Sequence, residues 1–266
     1  MLRSVLGKTL YERRLGIAGW AIELAGIVAL IVAIYPSFAH VHALKSLSQA
    51  FPKGLSAFFG YGGVVDYTSP VGFLGTELFA VTLPLLMLAL AIGSGARAIA
   101  SEEESTTLDL LLANPLSRPR LVAEKTAALI VELALLSATI FVGLLIATRA
   151  AGVHIAAGKL AAAATFVFLL GLLFGSFALA VGAATGKHAL AVGIPSGAAA
   201  IAYLLNGVAP LVSWLDPVKV LTPFYHYTAP APLLHGFALG HAAVLLVATC
   251  FLVAAAAWTF DRRDLA

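Results

Sequence analysis

The sequence is short of charge. Only 11% of its residues are Asp, Glu, Lys or Arg, where an ordinary soluble domain carries about 25%. A soluble fold this poor in charge would have almost nothing polar to place on its surface. Cysteine is nearly absent too. Cys250 stands alone in an apolar run, which excludes an intrachain disulfide and a thiolate metal cluster. The familiar catalytic strings are missing: there is no HExxH, no GxSxG and no pair of aspartates in facing apolar runs. The nearest approach to a phosphate-binding loop is Gly182-Ala-Ala-Thr-Gly186-Lys187-His188. It is one residue short and lacks the Ser or Thr that would hold magnesium. Because it closes an apolar run, it reads as a helix end with a basic anchor. The histidines do not group: His40 and His42 are two apart, on different sides of a helix, and His226, His235 and His241 are scattered. The chain is therefore expected to have no catalytic site and to bind no metal, cofactor or nucleic acid.

What the sequence does have is apolar length. It is 61% hydrophobic, with a mean hydropathy of +0.99. A bilayer span takes ~20 apolar residues to cross ~30 Å of hydrocarbon. Six runs qualify, at about 16–35, 73–100, 126–149, 160–186, 189–209 and 237–260. The expected fold is an all-α integral membrane protein of six transmembrane helices in a single domain, 1–266. The basic N-terminus and long first run lack a clear cleavage site, so the run reads as a retained anchor.

Between the runs the pattern changes. In residues 1–15, Leu2, Val5, Leu6 and Leu10 share a helical face with Arg3, Lys8 and Arg14 elsewhere. This predicts an amphipathic helix on the membrane surface; the other reading is a frayed basic terminus, since Gly7 weakens the helix. Residues 36–72 predict two short surface helices split by Pro52. Residues 207–236 hold Pro210, Pro217, Pro223, Pro230 and Pro232 with Trp214, Phe224, Tyr225 and Tyr227. That stretch cannot be one span and reads as an interfacial or re-entrant element, tolerated only where protein or water shields it.

Lys and Arg give the orientation. With the N-terminus inside, Arg3, Lys8, Arg13, Arg14, Arg97, Arg118, Arg120, Lys125, Lys187, Arg262 and Arg263 lie inside, against Lys45, Lys53, Arg149, Lys159 and Lys219 outside. Both termini are thus expected in the cytoplasm. Gly171 and Gly175, and Gly182 and Gly186, have the spacing that lets helix backbones approach, either within the chain or between copies. Pro195, between Gly193 and Gly197, predicts a kink that serves as a hinge or as a packing adjustment. Glu23 and Glu132 fall about two turns inside their runs from the cytoplasmic ends, and burying them is costly. Each either lines a pathway, pairs with a cation, or snorkels. Glu77 enters the second run from the other side.

Residues 101–125 are the largest cytoplasmic connection. Thr106 and Asp109 resemble a capping box. Leu108, Leu111 and Leu112 share one face of a short helix, Asn114-Pro115 ends it, and Pro119 opens the next. A helix of two turns needs a surface to pack on. That surface is either the chain's own span ends and lipid, or a partner's groove.

The string Ala100-Ser-Glu-Glu-Glu-Ser-Thr-Thr-Leu-Asp-Leu-Leu-Leu-Ala-Asn-Pro-Leu-Ser-Arg118, with Lys125 entering a span, resembles the cytoplasmic signature of ABC transporter permeases of the type-2 (ABC-2) exporter family. The close match covers about twenty residues, and the layout of spans agrees with it. The resemblance implies that two permease copies, identical or paralogous, form a path in the cell membrane. Separate ATPase subunits, which hold the ATP and Mg, would bind from the cytoplasm. Carried over, Thr107, Leu108, Leu111, Leu112 and Pro115 are the docking face of a coupling helix. Glu102, Glu103, Glu104 and Arg118 are its charged rim, and residues 1–15 are the interface helix. Two readings from other classes stand beside it: a proton-coupled carrier, although no inverted repeat is visible, and a static membrane anchor of a cytoplasmic complex.

Overall fold

The computed structural model describes residues 5–39, 68–104 and 117–263. Among them there is no strand, and six helices are long and apolar enough to cross a membrane. The chain is a multi-pass membrane protein. The first helix, α1, is Val5–Ala39. Helix α2 is Pro70–Glu104. Helices α3 (Arg118–Ala150), α4 (Ala157–Thr185) and α5 (His188–Val208) follow. Two short helices, α6 (Pro223–Thr228) and α7 (Pro232–His235), precede α8 (Leu239–Arg262).

The boundaries follow local chemistry. Ser69 caps α2 by accepting a hydrogen bond from the Gly72 N–H at 3.1 Å, and Pro70 sits where its missing N–H costs nothing. Pro119 opens α3 in the same way. Helix α4 stops at Gly186, whose φ of +65° a side chain would strain. Helix α5 begins two residues later.

The first helix differs from the sequence reading. A surface helix over 1–15 followed by a span was expected, but the helix runs unbroken from Val5 through the apolar run. No proline interrupts it before Pro36. Its start is tied down instead: the Glu124 carboxylate of α3 accepts from the Val5 N–H at 2.7 Å and from the Leu6 N–H at 3.3 Å. That satisfies two of the four orphan donors at a helix start and places a negative charge at the positive end of the helix. The two surface helices expected within 36–72 fall almost wholly outside the described residues.

Helix α4 is the centre. It packs on α2, α8, α3 and α5, whereas α1 rests chiefly on α3. Helices α2 and α4 meet through glycine. A Cβ at Gly171 would sit 2.7 Å from Met87 Cγ; one at Gly175 would sit 3.0 Å from the Ala91 carbonyl oxygen; one at Gly95 would collide with the Gly175 carbonyl. Both Gly171 and Gly175 therefore serve contacts within the chain.

The Pro-rich stretch 207–236 contains no helix long enough to span. Two 3₁₀ turns, Ala209–Leu211 and Asp216–Leu221, lead into α6 and α7, each with proline in its first turn. Phe224, Tyr227 and Leu233 are buried in the core. Tyr227 also donates its hydroxyl to the Phe79 carbonyl at 2.7 Å. Phe79 lies in a π-helical stretch of α2, Gly75–Thr82, where the wider winding changes which carbonyls the helix itself uses.

Candidate functional site

The ends of α2, α3, α5 and α8 converge where α2 carries its three glutamates. Each carboxylate takes a different neighbour. Glu102 pairs with Lys125 of α3, whose ammonium also donates to Thr9 of α1 at 3.4 Å. Glu103 accepts two hydrogen bonds from Arg263, one of them at 3.0 Å, just past the end of α8. Glu104 accepts from the His188 backbone N–H at 2.8 Å, at the start of α5. The Ser101 hydroxyl meets His188 Nδ1 at 3.0 Å. One turn of α2 is thus bonded to three other helices. Gly186 completes the joint: a Cβ there would lie 2.6 Å from either Glu103 oxygen and would also strike Arg263. Arg118, at the start of α3, donates to the Phe260 carbonyl at 3.3 Å and the Arg263 carbonyl at 2.5 Å, covering the open carbonyls at the end of α8.

These contacts report on the expected charged rim. Glu102, Glu103, Glu104 and Arg118 are each engaged by residues of the same chain. Thr107, Leu108, Leu111, Leu112 and Pro115 lie outside the described residues. Both flanks of that segment, the end of α2 and the start of α3, are nevertheless fixed to the bundle.

A second polar cluster lies two turns deeper. Arg13 of α1 donates to Glu132 of α3 at 2.6 Å and to the Ser94 hydroxyl of α2 at 2.5 Å. Ser94 in turn donates to the other Glu132 oxygen at 3.2 Å. Glu132 is 3% exposed, and both its oxygens are engaged, one by the Arg13 guanidinium and the other by the Ser94 hydroxyl. The sequence marked Glu132 but not its partners, since Arg13 is 119 residues away. Above the cluster a polar cleft of about 250 Å³ opens between α1, α2 and α3, lined among others by Thr9, Arg13, Arg97 and Lys125.

Glu23 is elsewhere. Arg13 is level with Glu132, and Glu23 stands ten residues further along α1, about 15 Å at helical rise. The next rung confirms the depth: a Cβ on Gly143 of α3 would touch Val28 at 3.6 Å. Glu23 is therefore near the middle of helix α1. It is exposed and has no hydrogen bond or ion pair among the described residues. Pro195 is buried inside α5, which continues through it.

Apolar hollows flank the bundle. One of about 350 Å³ lies between α2 and α5, along Val81, Leu85, Ala89 and Tyr203. A larger one of about 1050 Å³ runs between α4, α5 and α8, with Phe174, Phe177 and Phe251 in its wall. Among the described residues no group of three His, Cys, Asp or Glu is placed to hold a metal.

Residues 5–265 match the family model described as ABC-2 family transporter protein. No curated protein matches the chain.

Proposed function

Because the chain belongs to the ABC-2 transporter family, we propose that it is the permease subunit of an ATP-driven exporter. Two copies, or this chain and a paralogue, form the substrate path in the cell membrane, with both termini in the cytoplasm. Separate ATPase subunits, carrying ATP and Mg, dock on the segment between α2 and α3. Thr107, Leu108, Leu111, Leu112 and Pro115 form the docking face.

The observation that carries this reading is the joint at the end of α2. A connector that transmits force needs stiff ends. The end of α2 is bonded to α3 through Glu102, to α8 through Glu103 and to α5 through Glu104. A push on residues 105–116 would reach four helices at once. Pro195, inside α5, is the proposed hinge on which that helix answers. A proton-coupled carrier finds less support, because Glu132 is held by Arg13 and Ser94.

The test is co-purification of the tagged chain from its native membrane. An ATPase subunit should accompany it, and Leu111→Asp with Leu112→Asp should release that subunit while the chain still folds. If no ATPase accompanies the parent chain, the exporter reading fails.

A further inference from the structure

We propose that the cleft between α1, α2 and α3 binds the phosphate of an anionic membrane lipid through Arg97, with the lipid's chains lying along the exposed strip of α2. The observations begin with charge. Around the cleft, Arg13 is matched by Glu132, Lys125 by Glu102, and Lys8 by Glu12 at 3.8 Å. Arg97 is exposed, and among the described residues it makes no hydrogen bond or ion pair. The Glu132 carboxylate attracts Arg97 as well as Arg13 but balances only one of them, so the cluster keeps a net positive charge, which is costly within a span.

The guanidinium is also oddly placed for a merely solvated arginine. It lies back along the helix over Gly93, about 3.5 Å from where a Cβ would stand. Cα–Cβ bonds tilt toward a helix's N-terminus, and the N-terminal direction of α2 leads away from its acidic end into the span. An arginine serving only its own solvation would snorkel toward the near interface. This one faces inward, along the helix over Gly93.

The neighbouring groups supply the rest of an anion site. Arg13 spends one nitrogen on Glu132 and another on Ser94, and a guanidinium has five N–H donors, so it keeps donors to offer. The Thr9 hydroxyl lines the same cleft. Paired arginine forks suit phosphate oxygens better than a point charge does. The volume of about 250 Å³ has room for a phosphate group.

The apolar half follows from the helix repeat. Val81, Leu85, Ala89, Gly93 and Arg97 come every fourth residue, and each step turns about 40°, so the strip winds almost half-way round α2, from the hollow beside α5 to the cleft beside α1 and α3. Val81, Leu85, Ala89 and Arg97 are all exposed. The strip is apolar for three turns and ends in a cation, matching a molecule with an acyl chain and an anionic head. The ligand is thus drawn from the bilayer leaflet on the acidic side of α2. This proposal needs only the membrane placement of the chain, not the ATPase.

The experiment uses the full chain in neutral maltoside detergent, with fluorescent phosphatidic acid as probe and fluorescent diacylglycerol as its uncharged counterpart, read by anisotropy. The parent should bind the phosphatidic acid at least about tenfold more tightly, the scale of a charge-assisted hydrogen bond. Arg97→Gln should erase that preference, Arg97→Lys should keep part of it, and Lys159→Gln, far along the chain, should leave it intact. Ala89→Phe should weaken both probes. The proposal is overturned if Arg97→Gln binds like the parent, if Lys159→Gln loses as much as Arg97→Gln, or if inorganic phosphate alone displaces the probe at matching concentration. Loss of the ATPase in co-purification would leave these results unchanged, so the two readings fail separately.

Discussion

Helix α4 and helices α1 and α5 are all apolar enough to span, yet they are built for different surroundings. In α4, 78% of the most apolar window is buried within the chain; in α1 and α5 the figure is 17%. Glycine shows the difference best. Gly171 and Gly175 of α4 and Gly95 of α2 sit where any side chain would strike a neighbour. At Gly16, Gly19 and Gly26 of α1, and at Gly193 and Gly197 of α5, a Cβ would meet no neighbour within 4 Å. Glycine costs roughly 1 kcal/mol against alanine inside a helix. Within the bundle, close backbone approach repays that cost, as small-residue packing does generally in membranes. On α1 and α5 the single chain contains no such compensation, which accords with the proposed second copy.

The first prediction pushes on the packed side. Gly95→Val places two methyls against the Gly175 backbone, which cannot retreat without parting α2 from α4. Overpacking of this kind costs about 1–3 kcal/mol and more where the backbone is the obstacle. Little monodisperse chain should survive detergent extraction, as read by size-exclusion chromatography. Gly193→Val on the open face is the matching control, and should leave the extracted chain as stable as the parent. Equal damage from both would erase the distinction between the two classes of glycine.

The second compares the buried cluster with the exposed acid. Glu132→Ala strands Arg13 in the bundle, and losing one member of a buried pair costs about 3–5 kcal/mol. Thermal unfolding followed by circular dichroism should show a large drop. Glu23→Gln loses no internal partner and should leave the unfolding of the isolated chain unchanged. A third, smaller effect concerns the joint. Arg263→Glu should lower the midpoint, and adding Glu103→Arg should recover part of the loss, since the pair is only about one-fifth exposed on either side. No recovery would mean that the two side chains do not act as a pair.

The smallest effect lies at the opposite end of the bundle. His226 Nε2 is 2.9 Å from the Val220 carbonyl, which accepts only, so that nitrogen carries the proton. Neutral His226 then receives a hydrogen bond on Nδ1 from His241, 3.1 Å away. Burial pushes the His226 pKa below its ordinary 6.5; the Val220 carbonyl opposes this and His241 adds to it. The folded chain therefore binds fewer protons than the unfolded one around that pH. The contribution is full above 6.5 and falls as acid protonates the ring. Hydrogen exchange across 220–230 should quicken at pH 5.5 relative to 7.5, after correction for intrinsic rates, and His226→Gln should remove the difference.

The six spans could be read from the sequence because an apolar run of ~20 residues has few other uses. Their extents were harder. Helix α3 begins at Arg118 and α1 is already helical at Val5, well outside their apolar runs, because helices continue into water where hydrogen bonds such as those of Glu124 hold the ends. The acidic triplet stood out in the sequence, but its partners did not. Lys125, His188 and Arg263 are 23, 84 and 160 residues distant, and only the packing of four helices brings them together. The GxxxG pairs announced close contact without saying with what; Met87, Ala91 and Gly95 supply the answer for Gly171 and Gly175. Gly186 serves another purpose, as the left-handed residue that ends α4.

The central claim is that this permease works as a pair driven through the segment between α2 and α3. Native mass spectrometry of the complex released from its own membrane tests it most directly. The account predicts two permease chains with two ATPase subunits, and the loss of the ATPases alone when Leu111 and Leu112 are both changed to Asp. A single chain with no ATPase, or a complex indifferent to those two changes, would contradict it.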